Sequence, residues 1–118
     1  MMRQVAKLHI QALPYTWSSK RGEKFVDSLY QIVKVMGYVK TVKRGGEIVG
    51  VMSGIGPLIL TLVVAKDWQR KGVGKELIDQ LKGVQLVYTN KESVGFYEKI
   101  DFVRIGQIEK TIFLWRKK

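Results

Sequence analysis

Apolar positions along this chain change their period several times, and each change predicts an element. Val5, Leu8 and Ala12 fall at helical spacing, and Pro14 closes that segment. Phe25, Leu29, Ile32, Val33 and Met36 recur at i, i+4, i+7, i+8 and i+11, which predicts a second helix with these residues on its buried stripe and Gly37 as its stop. The intervening "YTWSSKRG" reads as a polar turn. "YVKTVKRGGEIVGVMSG" then reads as a β-hairpin turning at Gly45 and Gly46.

In "PLILTLVVA" nearly every position is aliphatic or β-branched, the pattern of a strand covered on both faces. Val73, Leu77, Ile78 and Leu81 return to helical spacing, "VQLVYT" is another strand, and "NKESVGFYEKI" is a short helix. "FVRIG" and "TIFLWRK" close the chain as an antiparallel pair. The order ααβββαβαββ predicts an α+β class, a mixed sheet with helices packed on it. With no internal repeat, low-complexity tract or Pro/Ser linker, residues 1–118 are expected to be a single domain.

Composition narrows the chemistry. The absence of cysteine excludes disulfides and thiolate metal sites. His9 is the lone histidine, so a histidine metal centre or a serine–histidine–aspartate triad is hard to build, and no metal is expected. His9 itself fits a partly buried surface residue better than a base. The opening "MMRQVAKLHIQALPYTW" has no long apolar core and does not read as a signal peptide. Residues 55–65 are too short and too interrupted to span a bilayer. The expectation is a cytoplasmic protein with no membrane partner.

Twenty-one Lys and Arg against ten acidic residues leave a net charge of +11, which asks for an anionic partner: nucleic acid, an acidic membrane face or a phosphate-bearing cofactor. "LVVAKDWQRKGVGKELIDQLK" favours the last. A strand running into Gly-x-Gly and then a helix lets the backbone approach a phosphate closely, with Arg70, Lys71 and Lys75 beside it. It is not a Walker loop, because Gln69 stands at the first glycine position and Glu76 follows Lys75. Nor is it a dinucleotide fingerprint, whose third glycine is replaced by Leu77.

Gln69, Gly72 and Gly74 do satisfy Gln/Arg-x-x-Gly-x-Gly/Ala, and here the chain closely resembles the GCN5-related N-acetyltransferase (GNAT) family. Downstream, "YTNKESVGFYEKIDF" is similar to that family's second region, with Asn90 ending a strand and Tyr97 seven residues later. The resemblance runs from about Ile48 to Phe102, and it implies the acyl-CoA N-acyltransferase (GNAT) fold with acetyl-CoA as co-substrate.

It further implies roles, residue by residue. The backbone of Leu62, Val63 and Val64 would pair with the pantetheine arm, one N–H polarising the thioester carbonyl. The N–H groups of Arg70, Lys71, Gly72, Val73, Gly74 and Lys75 would cradle the pyrophosphate. Asn90 would hydrogen-bond the cofactor arm, although an Asn there also reads as a helix cap. Tyr97 would protonate the departing thiolate, although read without the motif it is an aromatic filling the core beside Phe96.

The chain departs from the family in four places. "PLILTLVV" carries no carboxylate to take the amine's proton, and Glu47, Glu98 and Asp101 stay unassigned. Gln85 stands where relatives that modify ribosomal-protein N-termini have a glutamate. Asp101 replaces the glycine of Tyr-x-x-x-Gly-Phe. The strand with which the family opens has almost no room here.

The expected function is direct acetyl transfer from acetyl-CoA to a primary amine of a small molecule or protein, by a monomer or homodimer. A basic nucleic-acid- or ribosome-binding module on the same fold is a second reading, carried by Lys20, Arg21, Lys24, Lys40, Lys43 and Arg44 but lacking an aromatic stacking motif. An acetyl-CoA-binding protein without catalysis is a third.

Overall fold

The computed structural model describes residues 2–118. Helices α1 (Arg3–Ala12), α2 (Trp17–Lys20) and α3 (Glu23–Met36) come first. The strands β1 (Tyr38–Arg44), β2 (Glu47–Ile55) and β3 (Leu58–Val64) follow, and a 3₁₀ turn at Lys66–Trp68 leads into α4 (Val73–Ile78). Then come β4 (Val84–Thr89), α5 (Val94–Lys99), β5 (Val103–Ile108) and β6 (Thr111–Lys117). Every predicted element is present. The single turn of α2 lies inside the stretch read as a polar turn, where Thr16 caps it by accepting from the Ser19 N–H.

All six strands join one sheet in the order β1-β2-β3-β4-β6-β5. Neighbours are antiparallel except β3 and β4, which run parallel. Among the described residues no strand precedes α1, so β1 forms one edge of the sheet.

Helices cover the two faces unequally. On one face Val73, Leu77 and Ile78 of α4 and Val94 and Tyr97 of α5 pack with Met52, Ile59, Val87, Ile112 and Leu114 of the sheet. On the other, Val5, Ala6 and Leu8 of α1 and Val26 and Tyr30 of α3 pack on Val51 and Val63. Truncating a large, fully buried aliphatic member such as Leu77 or Ile78 to alanine would cost about 2–5 kcal/mol. Because α1 and α3 pack only as far as β3, that face of β4, β6 and β5 stays bare. Tyr88 lies opposite Phe113 there and Leu86 opposite Trp115, with Tyr88 and Trp115 substantially exposed.

Two expectations need correction. The buried face of α3 centres on Val26 and Tyr30, with Phe25, Leu29 and Val33 flanking, whereas Ile32 (55% exposed) and Met36 (65%) face outward. Counting apolar residues ignored Tyr30, whose hydroxyl finds partners inside and so fixes the rotation of the helix. Likewise β3 is not covered on both faces along its length. Only Ile59 and Val63 are fully buried, because the sheet opens beside this strand.

Arg116 of β6 ties the C-terminal half together. It is buried, donating from Nε to Gln85 Oε1 (2.6 Å), from Nη1 to the Ile100 carbonyl (2.9 Å) and from Nη2 to the Ile78 carbonyl (3.2 Å). Those carbonyls end α5 and α4, where helices leave acceptors unpaired and favour a cation. Gln85 therefore points toward α4 and α5, into this cluster.

Candidate active site

The site begins as a defect in the sheet. β3 and β4 share one bridge, Leu58 with Leu86, next to a hydrogen bond from the Leu86 N–H to the Pro57 carbonyl (2.8 Å). Beyond it the strands part. Leu62, Val63 and Val64 pair with Met52, Val51 and Gly50 of β2 on one side and with no strand on the other. The edge left open is β-type backbone available to an extended ligand. Across the gap, Tyr88 of β4 donates from its hydroxyl to the Leu60 carbonyl (3.1 Å).

A cleft of about 480 Å³ fills this opening. Of the residues expected from sequence, it gathers Leu62, Val63, Val64, Gln69, Arg70, Gly72, Gly74 and Tyr97 on its lining. Lys71, Val73, Lys75 and Asn90 do not line it. The Val73 side chain is in the core, Lys71 lies over the Trp68 ring, and Lys75 pairs with Asp79 one helical turn on. Asn90 accepts the Ser93 N–H at its Oδ1 (3.0 Å), as a residue capping the turn into α5 does.

The turn between β3 and α4 suits a phosphate. Gln69 braces it by donating from Nε2 to the Val64 carbonyl (3.1 Å). Arg70 and Gly72 have φ of 63° and 85°, a left-handed alternation that turns successive N–H groups to one side. The N–H groups of residues 70–75 make no hydrogen bond among the described residues. No atom stands within 4 Å of where a Cβ on Gly72 would lie, whereas one on Gly74 would come 2.8 Å from Phe96 Cζ. Unclaimed donors in an open concavity, with Arg70 and Lys71 in the same turn, fit a bound pyrophosphate.

Tyr97 closes the far wall. It is 7% exposed, edge-on to Phe96 and Phe102 with ring centroids 5.0 and 5.5 Å away. Burial pushes its phenol above the ordinary tyrosine value, and nearby Tyr88 adds to the shift. Tyr97 thus remains protonated throughout the neutral range.

Further lining residues escaped the sequence reading: Ala12, Leu13 and Tyr15 after α1, and Trp68, Glu92, Ser93 and Phe96. Ser93 and Phe96 were findable, since they share one wall of α5 with Tyr97. The first three come from a distant segment that no local pattern links to the glycine turn. His9, by contrast, is buried, its Nδ1 2.8 Å from the Tyr30 hydroxyl and its Nε2 3.2 Å from Ser18 Oγ.

The family profile described as an acetyltransferase (GNAT) domain matches residues 28–104, from within α3 into β5. The chain belongs to the GNAT acetyltransferase family. It is accordingly a member of a family of acetyl-CoA-dependent N-acetyltransferases. A search of curated protein sequences finds no match.

Solved structures share the fold at low identity. A protein of Pyrococcus horikoshii OT3 superposes with a TM-score of 0.80 at 15% identity, over 99% of this chain and 90% of that one. An aminoglycoside 6'-acetyltransferase type Ii gives 0.79 at 16% identity, over 97% and 87%. The PaiA N-acetyltransferase of Thermoplasma acidophilum, solved in complex with coenzyme A, gives 0.71 at 14% identity, over 99% and 92%. Among the described residues, no helix is long and apolar enough to cross a membrane, and no three His, Cys, Asp or Glu side chains cluster as metal ligands.

Proposed function

We propose that this GNAT chain, acting as one domain, transfers an acetyl group from acetyl-CoA directly to a primary amine. The observation that carries the reading is the open edge of β3, running into unclaimed N–H groups of the glycine turn and sharing one cleft with Tyr97. When bound, acetyl-CoA supplies an activated acetyl thioester.

The chain's own groups account for the rest. The backbone of Leu62, Val63 and Val64 holds the pantetheine arm as an added strand would, and one of its N–H groups polarises the thioester carbonyl. The N–H groups of Arg70 to Lys75 take the pyrophosphate. The Lys71 and Lys75 side chains, directed elsewhere, contribute field more than contact. Asn90 shapes the turn that starts α5 and can offer its amide N–H to the arm while Oδ1 remains engaged.

Tyr97 donates its hydroxyl proton toward the leaving sulfur. A thiol has a reference pKa near 8.5 and this phenol lies above its ordinary value of about 10, so complete proton transfer is uphill. Hydrogen-bond donation to the developing thiolate is accordingly the larger part of its work. Direct transfer to the amine is the reading because the cleft lining holds no cysteine, lysine or histidine, and its hydroxyls, Ser93 among them, therefore have no such base on that lining to activate them as nucleophiles.

The test is a panel of peptide N-termini, lysine peptides, polyamines and aminoglycosides incubated with acetyl-CoA, with release of free thiol measured. Thiol release that depends on one class of amine supports the reading and names the acceptor. Acetyl-CoA binding with no amine-dependent release would leave a cofactor-binding protein. Salt-sensitive RNA binding without acetyl-CoA binding would point to the nucleic-acid alternative.

A further inference from the structure

The proposed reaction lacks one part. A primary amine reaches the enzyme near neutral pH mainly as its ammonium ion, which has no lone pair to attack with. β3 supplies no carboxylate to take the proton, and the one carboxylate on the cleft lining, Glu92, belongs to the turn before α5 and not to β3. A line of neutral polar groups on the neighbouring face can.

Thr61 lies on β3 immediately before Leu62, half-buried, on the same face as Val63 of the cleft lining. Tyr88, which crosses the gap to Leu60, rises from the adjoining bare face of the sheet. Thr61 Oγ1 is 2.5 Å from Ser53 Oγ and accepts from the Tyr30 hydroxyl (3.2 Å). That hydroxyl is 2.8 Å from His9 Nδ1, and His9 Nε2 is 3.2 Å from Ser18 Oγ. Tyr30 and His9 are 3% and 5% exposed, whereas Ser18 is half-buried in the single turn of α2. The line therefore starts at β3 beside the cleft, crosses the core between α3 and α1, and ends where water can reach it.

We infer that Thr61, Tyr30 and His9 form the exit path for the proton of the acceptor amine. The inference rests on the acetyltransferase reading above and adds the step that reading lacks. The ammonium N–H bond breaks as a proton passes to Thr61 Oγ1. The Thr61 hydroxyl proton moves to the Tyr30 oxygen, and the Tyr30 proton moves to His9 Nδ1. The imidazolium so formed releases its Nε2 proton past Ser18 to solvent. One proton leaves the amine and one reaches water; His9 is left with its hydrogen on Nδ1, and proton exchange with solvent must restore the Nε2 tautomer before the next turnover.

The relay needs His9 as the tautomer with hydrogen on Nε2, donating to Ser18 and leaving Nδ1 to accept. It also needs the Tyr30 hydroxyl hydrogen to swing from Thr61 to His9, a rotation about one C–O bond. Tyr30 from α3 and Ser18 from α2 are the side chains hydrogen-bonded to His9, and no charged group contributes to its shift. Burial alone lowers its pKa, which keeps the imidazolium short-lived and suits a carrier better than a store. Burial also holds Tyr30 up to about 12, so that between transfers it is a neutral hydroxyl.

A purely structural role, tying α1 to α3 and the sheet, predicts different kinetics. The experiment measures kcat/KM for the best amine of the panel from pH 6 to pH 10.5 in wild type, Thr61→Val, Tyr30→Phe and His9→Gln, with Tm recorded for each. A relay matters only while the amine arrives protonated. Each variant should lose about a hundredfold at pH 7 and return to within about threefold of wild type once pH exceeds the amine's own pKa, about 10 for an alkylamine.

A loss of equal size at every pH, or no loss at pH 7, overturns the relay while leaving acetyl transfer intact. Thr61→Val changes a half-buried residue to one of the same shape, so it decides the matter even if Tyr30→Phe fails to fold. A wild type that acetylates no amine at any pH removes the acetyltransferase reading and the relay with it.

Discussion

The Tyr88 hydroxyl donates to the Leu60 carbonyl across the one place where neighbouring strands of the sheet are not laddered. It joins β3 and β4 without closing the opening between them, and so sets the width of the gap. Removing the hydroxyl in Tyr88→Phe takes away one partly exposed hydrogen bond, worth about 1 kcal/mol. The expected outcome is a small fall in stability and a severalfold rise in the acceptor's KM, with acetyl-CoA affinity little changed because the glycine turn is untouched. Steady-state kinetics with each substrate varied in turn check this.

Tyr97→Phe keeps the ring, its edge contacts with Phe96 and Phe102, and the shape of the wall. It removes only the donor at the sulfur. The variant should lose about 10- to 100-fold in kcat with acetyl-CoA affinity within about twofold of wild type. Calorimetric titration with acetyl-CoA beside turnover measurements tests both halves. An unchanged kcat would return Tyr97 to the role of core aromatic.

Asp101 takes the place of a glycine and adopts φ of 77°, the left-handed backbone that glycine favours. The substitution has thus kept the turn into β5 and left strain in it. Asp101→Gly should stabilise the chain by about 1 kcal/mol, which for this size corresponds to a Tm rise of about 4 °C. Activity should be unaffected, since Asp101 lies outside the cleft lining.

Asp79 at the end of α4 accepts from Lys75 and Lys118, and Arg116 lies 3.4 Å away. The Lys75 hydrogen bond foremost, then that of Lys118, holds its carboxyl at about 2 against an ordinary 3.8. A depressed carboxylate contributes stability that is present above the unfolded value and lost as pH falls toward the folded one. The wild type should therefore lose stability between about pH 4 and pH 2 more steeply than Asp79→Asn. Acid unfolding followed by circular dichroism compares the two.

Much of this architecture was legible in the sequence because it is local. Periods of two and of 3.6 residues marked the strands and helices, and the glycine turn has the residue types its backbone requires at Gly72. What escaped depends on distant contacts. The α3 stripe was misplaced because Tyr30 counts as polar in a periodicity and buries through partners on α1 and β3. The His9–Tyr30–Thr61 line joins residues 21 and 31 positions apart, so no motif could announce it. The aliphatic composition of β3 suggested two covered faces, and only strand pairing reveals an open edge. Gln85, which the family resemblance sets where some relatives have a glutamate, accepts from Arg116.

Acetyl transfer itself is tested most directly by following isotopically labelled acetyl-CoA in a single turnover with the best amine, with mass spectrometry of cofactor, amine and intact protein. The account predicts one equivalent of free CoA for each equivalent of labelled acetylamide, with no label on the protein at any time. Label accumulating on the chain, or CoA released without acetylated amine, would contradict it.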